Sequence, residues 1–200
     1  RTSFTFEKQF TDLTNKFMIF TGSQLNTFDL TLATGTAGVG CNFGFMVFGG
    51  VDATATLDVS PTAASTAPEF STVTDLSSFK INDVEYPDGL TNFTMNLTNN
   101  MRAQRKIGSK FLAGIGLGSF AASGTGQAFF QDATSLQDAA NNEVLIPLEF
   151  TLIRAGSSYR VQFPKCKISA VTRVTSGINT DVELSFTWTA IFDSGIGGTI

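Results

Sequence analysis

From Asp181 onward the chain alternates: Val182, Leu184, Phe186, Trp188 and Ala190 fall on one face, Asp181, Glu183, Ser185, Thr187 and Thr189 on the other. A period of two marks a β-strand with one face in a core. An earlier stretch, residues 16–50, repeats the pattern of residues 159–193 without a gap. Adding 143 to the residue number pairs Phe20 with Phe163, Leu25 with Ile168, Phe28 with Val171, Val39 with Val182, Phe43 with Phe186 and Phe45 with Trp188. Just upstream, Phe4-Thr5-Phe6 pairs with Phe150-Thr151-Leu152 at an offset of 146. The pattern predicts a duplicated strand unit; the alternative is that two strand-turn-strand segments rich in Phe and Thr overlay by composition alone.

Taken in order, residues 1–7 predict a strand with Phe4 and Phe6 buried, and residues 8–15 a polar loop. Strands follow at residues 16–20 and 24–32, a glycine-bearing turn over residues 34–38, and a returning strand over residues 39–48. Residues 51–78 are rich in Thr, Ala and Ser with two Pro and almost no large side chain, which predicts an extended arm or linker. Residues 79–86 read as a short strand, 87–89 as a turn, and 90–98 as an alternating strand with Phe93, Met95 and Leu97 opposite Asn92, Thr94, Asn96 and Thr98. The next stretch, a loop over residues 99–110, holds four bases, Arg102, Arg105, Lys106 and Lys110. A solvated loop is the ordinary reading of such a cluster; contact with an acidic face of another molecule is the other. The glycine-rich residues 111–130 do not have the dinucleotide-binding spacing, and predict a bent strand where backbones approach closely. One helix is expected over residues 132–141, with Asp132 or Thr134 as its N-cap, and a strand over 144–154 turning at Ala155-Gly156 into the final pair.

Composition sharpens this to a mainly β fold with an aromatic core. The 200 residues include 20 Phe, 42% are apolar and 15% charged, and each buried Phe contributes about 2 kcal/mol. The net charge of −4 is spread without a basic block, which argues against nucleic-acid binding by counterion release. There is no His, so Ser-His and Cys-His catalysis are excluded along with the commonest metal ligand. Cys41 and Cys166 lack paired spacing, and each is expected as a buried free thiol. No run of 18 apolar residues predicts a transmembrane helix. Arg1 is not an initiator Met, which leaves room for an upstream part.

Several phrases in order resemble the tail tube proteins of long-tailed bacteriophages. They are NFTMNLTNNMRAQRKIGS, GQAFFQDATSLQDAA, LEFTLIRAGSSYRVQFPKCKISAVTRVTSG with Tyr159 to Pro164 as a Y-x-x-x-x-P phrase, and FTWTAIFD. The resemblance covers residues 78–200 well and residues 1–50 more weakly. It implies a β-sandwich or partly closed barrel flanked by one short helix, with residues 1–50 as the C-terminal part of a first tube-like unit, 51–78 an arm or linker and 79–200 a complete unit. It further implies a virion structural protein of the phage tail, assembled in the host cytoplasm into rings of three or six copies that stack as a conduit for DNA ejection. The implied partners are itself, the tape measure protein, tail terminator and tip proteins, and double-stranded DNA passing non-specifically through the lumen. No catalytic residue, cofactor or metal is implied. A lumen wall that lets DNA pass suits polar and acidic side chains. The candidates are Thr94, Asn96 and Thr98 on one strand and Asp181, Glu183 and Thr187 on another, although either set suits an outer surface equally well. Arg102, Arg105, Lys106 and Lys110 are the candidates for contact between rings.

Two other classes share parts of the pattern. An outer-membrane β-barrel has alternating strands, but lacks such an arm and helix. A surface adhesin module of immunoglobulin type would order its residues Cys-Trp-Cys, which this chain does not. An enzyme is the least expected class: Asp181 and Glu183, like Asp83 and Glu85, sit two residues apart on an open strand face, where solvent is their ordinary partner.

Overall fold

A computed structural model of the chain describes residues 2–35, 38–86, 90–129, 134–174 and 181–195. It is mainly β, with one short helix. The strands are β1 (Phe4–Gln9), β2 (Phe17–Ala33), β3 (Gly40–Met46), β4 (Gly49–Ala53), β5 (Leu76–Ile81), β6 (Val84–Glu85), β7 (Leu90–Thr98), β8 (Arg102–Gln104), β9 (Gly114–Gly116), β10 (Ala121–Phe129), β11 (Leu145–Arg154), β12 (Ser157–Val174) and β13 (Glu183–Ala190); the helix α1 is Thr134–Asn141. Among the described residues the main hydrogen-bonded path runs β1-β2-β7-β10-β13-β12-β11-β5-β6, with β3 and β4 also pairing β2, and it does not close into a barrel.

Two compact units divide the chain: unit 1 is Arg1–Phe28, Phe43–Ala67 and Thr98–Phe120, and unit 2 is Asp29–Asn42, Pro68–Leu97 and Ala121–Ile200. In unit 1 the first part of β2 pairs with β1 and with β4, bringing Phe6 opposite Phe20 and Gly50 opposite the same residue. The rings of Phe4 and Phe6 close on Phe45 at 5.7 and 4.6 Å, yet both stay partly in water, 44% and 37% exposed, against the expectation that they are buried. Alternation places two rings on one face; it does not supply the layer that covers it. The arm begins beside β1, where the Glu7 carboxylate accepts hydrogen bonds from Thr56 Oγ1 at 2.9 Å and from the Leu57 backbone N–H. Residues 54–67 then run exposed and without regular structure except for bends. The basic stretch read as a loop contains a short hairpin, β8 with β9, registered Arg102↔Gly116 and Gln104↔Gly114.

Unit 2 holds the large core. Phe93 of β7 is fully buried, parallel to Trp188 of β13 at 5.6 Å and edge-on to Phe79 of β5 and Phe150 of β11 at 5.1 and 5.7 Å. Phe163 of β12 closes on Trp188 at 4.8 Å. Strands far apart along the path therefore face each other, which is the layering of a sandwich. Helix α1 packs on β12 and buries Leu136 and Ala139, one turn of its apolar face. Its expected N-cap Asp132 and the 87–89 turn lie outside the described residues. At the β11–β12 hairpin, Ala155 and Gly156 both adopt positive φ, 44° and 83°, as the tight reversal requires.

Other differences from the alternation are physical. The two strands expected over residues 16–32 are one continuous strand, β2, because Gly22 takes φ +63° and lets the chain bend without breaking its pairing. Cys166 is buried and free, its thiol pushed up to about 12 by desolvation; Cys41, also free, is exposed rather than buried, since it lies at the start of β3. Glu149, expected outward, is only 8% exposed, bonded to Arg160 at 2.6 Å with Lys80 at 4.0 Å.

Near their turns the two hairpins share a pairing, which they lose by one residue farther along, where Gly44 lies against Thr27 but the corresponding Thr187 pairs with Ser169 beyond a bulge. Across β2 and β3, a Cβ added to Gly40 would lie 3.8 Å from that of Thr31; adding 143 to each number gives Glu183 and Val174, which pair in β12–β13. The preceding strands do not superpose as closely: Phe6 faces Phe20, whereas the corresponding Leu152 faces Tyr159 and Phe163 faces Leu148. That is a slip of four residues, an even number that leaves each side chain on its own face.

Acid stability follows from three carboxylates. Asp75 is held below the usual carboxylate range first by the Ser71 backbone N–H and then by Thr74 and Arg154, against the opposing cost of burial. Glu149 is lowered chiefly by its Arg160 hydrogen bond, and Asp193 by Lys165 and the Gly195 backbone N–H. A group with a depressed folded pKa contributes stability that is complete above its unfolded value and lost as pH falls through the folded one. The urea midpoint is therefore expected to hold from neutral pH to about 5 and to drop below about 4. Asp75→Asn and Glu149→Gln should each lower the neutral midpoint and flatten the drop; an unchanged pH profile in both would contradict this assignment.

Candidate functional site: a polar sheet face

The core of unit 2 dictates what lies on the other side of its strands. With Phe93 and Met95 turned inward on β7, Thr94 and Asn96 point the opposite way. On β13, Leu184, Phe186 and Trp188 are fully or almost fully buried, so Glu183, Ser185 and Thr187 share the other face. Strand β10 lies between, pairing Thr125↔Thr187 and Gln127↔Ser185, with Gly124, Gly126 and Ala128 toward the aromatic core. Glycine is needed there because backbone and rings leave no room: a Cβ on Gly126 would lie 2.2 Å from the Phe186 ring.

The result is one polar face crossing several strands. Thr94 Oγ1 and Thr125 Oγ1 are 2.8 Å apart, and the Thr125 N–H donates to Thr94 Oγ1 at 3.0 Å. Two strands on, Ser169 Oγ and Thr187 Oγ1 are 2.8 Å apart, and Thr187 Oγ1 lies 2.9 Å from the Ser169 carbonyl. At the β2 side, Asn96 Nδ2 donates to Asp29 Oδ1. Lys167, at the β12 side, is paired with Glu143 at 3.0 Å. The hydroxyls are tied to one another and to backbone, which leaves a wettable surface with little to grip a ligand. Among the described residues no group of three or more Cys, Asp or Glu is placed to hold a metal ion, and no helix is long and apolar enough to cross a membrane.

Of the lumen candidates, Thr94, Asn96, Glu183 and Thr187 thus come together on one face, although they were read as two separate walls. Asp181 is exposed in the segment before β13, and Thr98 accepts the Asn100 N–H at 3.2 Å in unit 1. Asp29, Thr125, Gln127, Ser169 and Ser185 complete the face and were not singled out from sequence. The signal for Thr125 and Gln127 was present in AASGTGQAF, where small inward residues alternate with polar outward ones. Among the described residues the cations Arg102, Arg105, Lys106 and Lys110 form no ion pair; Arg102 donates to the Leu117 carbonyl at 3.3 Å, and the Lys110 ammonium sits over the Phe111 ring at 5.1 Å.

The chain is thus a β protein: an open antiparallel sheet with an aromatic core and a hydroxyl-lined face. Residues 1–190 match the phage tail tube protein family, and the chain belongs to that family. It is accordingly a structural protein of the bacteriophage virion tail, in a family that self-assembles there. No curated protein matches the chain.

Proposed function

We propose that this chain is the repeating subunit of a hollow tail tube, closing into rings that stack into the conduit for genome delivery. The carrying observation is the polar face of β7, β10 and β13, whose Thr94, Thr125 and Thr187 hydroxyls are already satisfied within the sheet. DNA must slide past such a wall, and a fixed cation there would hold a phosphate by displacing its counterion. Hydroxyls with Asp29 and Glu183 among them repel or ignore phosphate. In this reading Thr98 and Asp181 extend the wall, and Arg102, Arg105, Lys106 and Lys110 lie between stacked rings. The tape measure protein occupies the bore before DNA, terminator and tip proteins close its ends, and assembly takes place in the host cytoplasm. The role is structural, without catalysis.

The pairing shared near the turns of the β2–β3 and β12–β13 hairpins supports a duplicated tube unit, with residues 1–50 as the C-terminal part of the first, 51–78 the linking arm and 79–200 the second. Three such chains then make a pseudo-hexameric ring; with one unit per chain, six are needed.

Negative-stain electron microscopy of the purified protein tests this. Rings or tubes with a central hole of about 20 to 40 Å are expected, set by two dozen or so strands spaced at roughly 4.8 Å. The lobe count chooses between three and six. Solid filaments, or monomers at every salt concentration, would overturn the conduit.

A further inference from the structure

Residues 69–75 lead the arm into unit 2 without adding to its core. Of their side chains only that of Asp75 is buried; Phe70 is half-buried and Val73 is 76% exposed. What holds the segment is mostly polar. The Asp75 carboxylate accepts the Ser71 N–H at 2.7 Å, the Thr74 hydroxyl at 3.0 Å and the Arg154 guanidinium at 2.9 Å, and the same guanidinium donates to the Glu69 carbonyl. From here the segment reaches two hairpins of unit 2. The Phe70 carbonyl accepts the Val39 N–H at 2.8 Å, and Thr72 Oγ1 donates to the Ala33 carbonyl at 3.0 Å. The Phe70 ring lies edge-on to Tyr159 at 5.4 Å, and the Asp75 carbonyl accepts the Ile153 N–H at 2.8 Å. Thr72 and Val73, with Leu76 just beyond, also wall two cavities of about 440 and 180 Å³. The smaller one extends to Thr91, whose hydroxyl is buried with no hydrogen-bond partner among the described residues.

We infer that residues 69–75 are a strap latched by the Asp75–Arg154 pair, which opens as a local unit while the aromatic core stays folded, lengthening the exposed arm and uncovering the two cavities. A segment that buries no apolar side chain has little to keep it in place once its polar bonds break. Opening also lets water reach the Thr91 hydroxyl, whose unpaired burial is a cost of the closed state. Release of the strap adds roughly 25 Å to the reach of the arm when extended, at about 3.3–3.6 Å per residue. The latch is sensitive to acid. The charged groups facing Asp75 are Arg154 from β11 and Glu69 within the strap; Tyr159 on β12 is the titratable group beside Phe70, and Ala33 and Val39 of the β2–β3 hairpin and Leu76 to Ser78 of β5 are neutral. The Asp75 carboxyl is held below the usual carboxylate range, first by the Ser71 N–H and then by Thr74 and Arg154 against burial. The latch is therefore complete above the unfolded value of about 3.9 and is lost as pH falls through the folded one.

Native-state hydrogen exchange of the monomeric chain, followed residue by residue, tests this. The Val39, Ser71, Asp75 and Ile153 amides are expected to exchange together, about a hundredfold faster or more than those of β13 after division by intrinsic rates. Low urea should change them little while it speeds β13, because a local opening exposes little surface. Asp75→Asn should speed the four by about tenfold or more, and Arg154→Met, which breaks the latch from its other side, should do the same; Trp188 emission reports that the core of either variant is folded. Asp193→Asn removes an ion pair with Lys165 that the strap does not touch, and should leave the four at their wild-type rates. Taking the wild-type chain from pH 6 to pH 3 should ease strap opening severalfold, whereas the Asp75→Asn chain should show no such step. Strap amides that open only together with β13, or that respond to Asp193→Asn as strongly as to Asp75→Asn, would overturn the inference. So would folded Asp75→Asn and Arg154→Met chains whose strap exchanges at the wild-type rate. Because the monomer is measured, the result stands apart from whether the assembled chain encloses a bore.

Discussion

Gly124→Ala is expected to destabilise unit 2 by about 3 kcal/mol, the upper end of the usual cost of overpacking. A Cβ at this position would lie 1.9 Å from the Thr94 carbonyl oxygen and 2.9 Å from Cε2 of the Trp188 indole. Neither neighbour can retreat cheaply. The carbonyl belongs to the backbone of β7, which is fixed by Phe93 and Met95 in the core, and the indole is held between Phe93 and Phe163. Relief requires β7 and β10 to part, which would also break the Thr94–Thr125 hydroxyl pair. Gly50→Ala supplies the contrast, because its added methyl would meet only Met18 and Phe20 side chains at 3.5 Å, an ordinary contact. That variant should stay within about 1 kcal/mol of wild type, with the loss of backbone freedom in the unfolded chain acting in its favour. Urea unfolding of the two variants beside wild type checks both; equal midpoints for Gly124→Ala and Gly50→Ala would show that the close approach is not a constraint.

The same close approach explains what the sequence disclosed and what it hid. Strands β7, β11 and β13 were legible because large apolar residues alternate with polar ones, and only a half-buried strand satisfies that period. Strand β10 was legible only as a bent, glycine-rich strand, since its inward positions are occupied by the absence of side chains. The space they leave is filled by Phe186 and Trp188, more than 50 residues later in the chain. The polar face was visible in halves for a related reason: Thr94, Thr125, Thr187 and Ser169 become neighbours through long-range register, which a local period does not encode. Glu149 escaped because alternation counts faces rather than layers, and a carboxylate bonded to Arg160 can lie under them. Phe4 and Phe6 misled in the opposite sense. Their pattern is that of a core strand, and whether a layer covers it depends on atoms elsewhere in the fold, which leave both rings partly in water.

Phe93→Ala should have the larger effect, a loss of about 3–5 kcal/mol, as expected for removing a buried aromatic ring that its surroundings cannot replace. Phe93 is fully buried and its ring contacts those of Phe79, Phe150 and Trp188, which belong to β5, β11 and β13. No other ring in the chain makes aromatic contacts with as many strands among the described residues, so the cavity cannot be closed by moving one neighbour. Trp188 is the single tryptophan and sits parallel to Phe93, which makes its emission a direct probe of the site. The variant should show a red-shifted emission and a urea midpoint far below wild type, while Phe93→Leu, which keeps most of the volume, should cost about half as much or less. A Phe93→Ala chain with native emission and midpoint would mean that β7 is held mainly by its edges. The consequence reaches the polar face, because the side that Phe93 and Met95 anchor inward is what turns Thr94 and Asn96 outward. Loosening that anchor removes the hydroxyl and amide pairs to Thr125 and Asp29 together, so assembly should fail before the chain is fully unfolded.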